Sequence, residues 1–215
     1  MDNQATQTKE FGDGYDLTGS GTLRTLRVTF SNWALYAEYA SDDRYRSNTE
    51  SWTHPIQITF YEVGAGNTVG PVIGTKTEAI TIPWRPTAAG ATLCPANPSG
   101  WFDGTSCYSG KAFDWTFDIA SLGISVPHKV IVGIAYSTET YGQPAIGTRG
   151  PYNSFNVGLN SGVNAGSNPN LDVDVVFWNT STRANYTDLG AGGVGTFRAD
   201  TGWTGYVPAF YLTAH

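Results

Sequence analysis

The sequence predicts an all-β fold, an antiparallel two-sheet β-sandwich of jelly-roll type with about nine or ten strands, and three observations carry that expectation. Apolar residues recur at every second position, turn-forming clusters separate the alternating runs, and the 3.6-residue period of an amphipathic helix is nearly absent. Phe113, Trp115, Phe117 and Ile119 alternate with Asp114, Thr116 and Asp118, as in a strand with one wet face, which assigns Trp115 to the core. Leu171, Val173, Val175 and Phe177 repeat the pattern opposite Asp172 and Asp174, and Trp178 falls on the other side, as a cap on the second sheet or at an interface. Residues 130–136 (VIVGIAY) are apolar at odd and even positions alike, which marks a central strand covered on both faces. Further strands are expected over 23–30, 56–63, 77–82, 154–159, 194–198 and 206–213. Two facing antiparallel sheets bury so many alternating strands most economically.

Between the strands lie turn signals: GAGN at 64–67, PANPSG at 95–100, NSGVNAGSNPN at 160–170 and GAGG at 190–193. The last two are long enough to act as binding loops. The stretch 33–52 fits no single element; a strand with an excursion and a short helix both remain open. No internal repeat of solenoid or propeller period is present.

A chain of 215 residues suits one all-β domain spanning 1–215, with residues 1–10 a flexible or extended N-terminal segment. Charged residues make up 14%, well under the roughly 25% of average domains, so Ser, Thr, Asn, Gly and Tyr must cover the surface. The net charge of -6 argues against a nucleic-acid partner. The densest basic groups, Arg24 with Arg27 and Arg44 with Arg46 beside Asp42 and Asp43, make no patch. No apolar run is long enough for a membrane span. The segment after Met1, DNQATQTKE, is polar and acidic rather than basic then apolar, so Met1 is expected to be an added start on a mature exported chain and His215 the stub of a tag.

Cys94 and Cys107 are the only cysteines. In an exported chain such a pair forms a disulfide, and in a reducing compartment two free thiols. Their spacing matches no zinc motif, and no second pair completes four ligands.

The hydrolase elbow G-x-S-x-G is absent, as are the P-loop, dinucleotide and metalloprotease patterns. His54 and His128 each adjoin a proline, and nothing pairs them with a nucleophile in sequence. Carboxylates are plentiful, Glu38, Glu50, Glu139, Asp103 and Asp200 among them, and a glycosidase needs two brought together by the fold. Oxygen donors at near-alternate positions in 11–16 (FGDGYD) and 168–174 (NPNLDVD) raise calcium as an alternative to no cofactor, although neither fits an EF-hand loop and the wet face of a strand is the favoured reading of Asp172 and Asp174.

Aromatic residues in turn-rich segments are the best binding candidates. Trp101, Tyr108, Tyr141, Tyr152 and Trp203 adjoin Gly, Pro, Asp or other small and polar residues rather than lying within alternating runs. Such rings offer flat faces to the C–H faces of sugars while neighbouring polar groups meet the hydroxyls. The alternative is that each plugs one end of the sandwich.

The segments HPIQITFYEVG (54–64), IPWRP (82–86), WFDGTSC (101–107), PYNSFNVGLN (151–160) and FRADTGWTGYVPAF (197–210) occur in that order. In them the chain resembles an uncharacterised group of secreted bacterial surface proteins. That resemblance implies an exported β-sandwich, secreted or held at the cell surface, and brings no activity or functional residue with it. Three functions stay open: a noncatalytic extracellular module binding carbohydrate or another polymer, a self-associating structural subunit that accepts a neighbour's residues 2–10 along a sheet edge, and a glycan-active enzyme using paired carboxylates.

Overall fold

The computed structural model describes residues 2–3, 8–39, 49–136, 154–160, 175–180, 197–201 and 207–215. Their strands are β1 (Asp2–Asn3), β2 (Thr8–Asn32), β3 (Ser51–Gly64), β4 (Thr68–Pro83), β5 (Trp101–Phe102), β6 (Cys107–Tyr108) and β7 (Lys111–Asp118). They continue with β8 (Ser125–Ala135), β9 (Phe155–Asn160), β10 (Val175–Thr180), β11 (Arg198–Thr201), β12 (Val207–Pro208) and β13 (Phe210–Ala214). Among the described residues helical structure is confined to α1 (Tyr36–Tyr39), α2 (Gly90–Leu93) and a 3₁₀ turn at Ala120–Leu122. The fold is an antiparallel β-sandwich, as the alternation predicts.

One strand organises both layers. β2 runs for 25 residues, and its first half pairs with β10 and β8 in one sheet, continued by β3 and β4 beyond β8 and β11 beyond β10. Its second half pairs with β7 on one side and with β13 and β9 on the other, forming the second sheet, and β1 lies outside β9. The strand changes sheets where its register with β8 shifts, between Leu17 and Gly21. Gly19 and Gly21 there have φ of 104° and 112°, values that a side chain disfavours. At Gly21 a Cβ would also strike the carbonyl oxygen of His215, whose backbone pairs with Thr22 on both sides (2.8 and 3.1 Å).

Inward side chains follow the alternation. Phe11, Tyr15 and Leu17 from the first half of β2 and Leu26, Val28 and Phe30 from the second meet Ile56, Ile58 and Phe60 of β3 and Phe117 of β7 in one core. The continuous apolar run is β8, central between β2 and β3. Val130, Val132 and Ile134 face the main core, and Ile131 lies on the opposite face with Tyr61, Val63, Val69, Phe197 and Ala199. Trp115 packs on the core from its margin, half-buried, its indole N–H donating to Glu78 Oε1 of the other sheet at 3.1 Å. The GAGN signal is a tight hairpin between β3 and β4, with positive φ at Gly66 (68°) and Asn67 (62°). Residues 11–16, weighed above as oxygen donors, form a central strand instead, with Asp13 turned inward beside Phe11 and Tyr15.

On the outer face of the first sheet Glu10 lies against the backbone of Gly133 and accepts a hydrogen bond from the Tyr61 hydroxyl at 2.7 Å. Burial raises the Glu10 carboxyl above its ordinary 4.5, against the pull of the Tyr61 bond, and burial followed by the Glu10 charge raises the Tyr61 phenol. A raised folded-state value means that the folded protein binds this proton more tightly than the unfolded chain. The associated stability is complete below 4.5 and is lost as pH rises through the raised value. Glu10→Gln keeps an acceptor for Tyr61 and removes the titration. Its urea midpoint should exceed wild type at about pH 8, and the advantage should vanish near pH 4. An advantage confined to acid would contradict this assignment.

Candidate functional site

The second sheet carries a groove of about 420 Å³ on its outer face, within the size range of small-ligand sites. Its floor is made of small or short side chains, Thr29 and Ser31 of β2, Ala112 of β7, Gly158 of β9 and Ala209, and its walls are Trp33, Tyr108 and Tyr211. The depression exists because large and small residues are segregated in this way. Ala209 lies between β12, which pairs with β9, and β13, which pairs with β2, its carbonyl accepting from Thr29 N (3.1 Å) and its N–H donating to Gly158 O (2.9 Å). A side chain at Gly158 would press on Thr29.

Each wall is held by identifiable contacts. Trp33 follows the end of β2, where buried Asn32 donates to Pro83 O at 2.9 Å and accepts from Ala34 N at 3.2 Å. The Trp33 indole N–H donates to Ser31 Oγ at 3.0 Å, and Gly110 leaves the space for both groups, since a Cβ there would strike them. Tyr211 stands outward from β13 opposite Arg27, whose guanidinium lies 4.1 Å from the ring centroid. Arg27 also meets Asp114 Oδ2 at 3.4 Å, and Asp114 Oδ1 accepts from Thr29 Oγ1 at 2.6 Å. Gly110→Ala should displace Trp33 from Ser31 with little change in melting temperature. Solvent quenching of tryptophan fluorescence checks the displacement, and an unchanged quenching profile would contradict it.

Tyr108 comes from the β5–β6 hairpin, where it pairs with Trp101 across the ladder with ring centroids 5.5 Å apart. It is 45% exposed. Trp101 is its support rather than a wall: the indole N–H is fixed on Gly110 O at 2.9 Å, and Lys111 Nζ lies 4.8 Å from the ring centroid. A disulfide joins Cys94 to Cys107, the residue before Tyr108, a bond compatible with an extracellular setting. Arg85 Nη1 donates to Ser99 O (2.8 Å) and Ser109 O (3.2 Å), and Asn97 Nδ2 donates to Ser109 Oγ (3.0 Å), tying the same loop to the sandwich.

Of the loop aromatics expected to bind, the structure therefore brings Tyr108 to the groove and Trp101 behind it. Tyr141, Tyr152 and Trp203 lie outside the described residues. Trp33 and Tyr211 escape the sequence reading. Tyr211 was legible in principle, because it alternates with Phe210 and Leu212 in FYLTA and so faces outward.

Among the described residues no carboxylate lines the groove. Asp103, a candidate acid, is exposed in the turn between β5 and β6, where Oδ1 accepts from Ser106 N (2.8 Å) and Thr105 N (2.7 Å). Those amide donors, Ser106 first, hold its carboxyl below the ordinary value, which keeps it ionised and unsuited to general-acid work. His128 Nε2 lies 2.9 Å from Glu62 Oε2, and His54 is wholly buried between the rings of Trp52 and Tyr136. Among the described residues no group of His, Cys, Asp and Glu has the makings of a metal site, and no helix is long and apolar enough to cross a membrane.

Fold and groove together define an antiparallel β-sandwich with an aromatic-walled depression on one sheet face. No protein-family model, curated protein or solved structure matches the chain.

Proposed function

We propose that this protein is a noncatalytic extracellular module, secreted or held at a cell surface, that binds carbohydrate in the groove bounded by Trp33, Tyr108 and Tyr211. The observation that carries the reading is the composition of that groove: aromatic walls around a floor of hydroxyls, small apolar side chains and backbone, with no carboxylate among the described residues. Sugar rings present apolar C–H faces and a rim of hydroxyls, and this lining offers a partner to each. The disulfide agrees with an oxidising compartment, and the resemblance to secreted bacterial surface proteins points the same way. A panel of polysaccharides and glycans tests it, read with wild type and with Tyr108→Ala and Tyr211→Ala. Binding by wild type that both substitutions weaken supports the reading, and no binding across the panel overturns it.

One observation favours a second reading, a structural subunit of a surface or matrix assembly. Asp2–Asn3 hydrogen-bonds along β9 as the outermost strand of its sheet, so that edge already accepts an N-terminal segment, and a neighbour's segment would fit the same ladder. Light scattering over a concentration series separates the two: polymers support the subunit, and a monomer at every concentration ends it.

A further inference from the structure

We infer that the groove is one end of a track along β2, and that its ligand is a linear, uncharged polysaccharide bound through internal units; the inference rests on the carbohydrate reading above. The outer face does not stop at Tyr211. Strand register continues it in rows, Tyr211–Arg27–Thr116 and then Thr213–Thr25–Asp118, and the hydroxyls of Thr25 and Thr213 lie 2.6 Å apart. From Trp33 back to Thr25 an extended chain covers roughly 26 Å at about 3.3 Å per residue. That is the length of several hexose rings and more than a single terminal sugar can occupy.

The chemistry of the track is neutral. Its one cation within the rows, Arg27, is compensated by Asp114 at 3.4 Å and stacked on Tyr211 at 4.1 Å, and Asp118 stands at the far row. Lys111, at the other end, lies over Trp101. Exposed Arg24 stands next to Thr25 at that far row, so Arg24 and Arg27 balance Asp114 and Asp118 and an acidic chain meets no net positive charge, whereas a neutral chain gains from the balanced charges as hydrogen-bond donors and acceptors. Among the described residues the face is open along the strand, so affinity grows with the number of rings laid down and is indifferent to which end the chain has.

Titration calorimetry with cello-, xylo- and manno-oligosaccharides from disaccharide to octasaccharide tests this, with oligogalacturonate as the charged counterpart. In the series that binds, affinity should rise roughly tenfold or more between disaccharide and hexasaccharide, and borohydride reduction of the chain end should leave it unchanged. The double variant Thr25→Val, Thr213→Val should lower octasaccharide affinity several-fold and leave the disaccharide alone. Equal affinity for disaccharide and octasaccharide, or tighter binding of the charged chain, overturns the track while the Tyr108-dependent carbohydrate reading stands. Absence of binding to every sugar, polymers included, overturns that reading and the track with it.

Discussion

Replacing Phe30 with alanine should cost about 3–5 kcal/mol of folding stability, the range for deleting a buried aromatic ring. Phe30 has no exposed surface. Its ring stacks on Phe155 of β9 at 4.9 Å and on Phe113 of β7 at 5.7 Å, the two strands that flank the end of β2. Phe155 in turn meets Tyr136 at 5.0 Å and Trp52 at 5.8 Å from the opposite sheet, so the ring closes a contact chain that joins both layers. The neighbours, held by backbone pairing on both sides, can collapse into the vacancy only in part. Thr29 and Ser31 would then lose the support that sets the groove floor, and ligand affinity should fall even in variant molecules that remain folded. Urea denaturation with a parallel binding titration measures both effects. A loss below about 1 kcal/mol would place Phe30 outside the core.

Removing the disulfide should produce the second largest change and a different pattern. The bridge spans a sequence separation of 13, for which the loop-entropy model gives about 3 kcal/mol. Cys94 is buried at the C-terminal end of α2, and Cys107 directly precedes Tyr108, so the bond fastens the groove-wall hairpin to that short helix. In Cys94→Ser, Cys107→Ser the strand signal in circular dichroism should persist, because the paired core strands lie outside the bridged loop. Melting temperature should drop, and carbohydrate affinity should fall toward that of Tyr108→Ala. Full affinity in the double variant would show that the Arg85 and Asn97 contacts hold the hairpin by themselves.

The alternation of 113–119 and the unbroken apolar run at 130–136 made β7 and β8 legible, because each residue there reports directly which face it occupies. The first half of β2 was harder. Gly12 and Gly14 fill its outward positions next to β8, which removes the polar side chains that would complete an alternating pattern, and inward Asp13 imitates a cation ligand. The change of sheet at Gly19 and Gly21 depends on pairing with β8 and on the backbone of His215, far along the chain. For the site, Tyr108 was visible because turn residues surround it. Trp33 lies in the stretch without a period, and Tyr211 was absorbed into an alternating strand whose outward face looked merely wet. The groove itself arises where Ala209, between β12 paired with β9 and β13 paired with β2, bridges those two strands, a long-range registration with no local signature.

The most direct test of the binding face is amide chemical-shift mapping by NMR during titration with the best-bound oligosaccharide. Shifts should concentrate at Thr29, Ser31, Trp33, Tyr108, Gly110, Gly158 and Tyr211, with quiet amides on the outer face of the other sheet around Glu10, Tyr61 and Ile131. Shifts centred on that second face, with the groove amides unmoved, would contradict it.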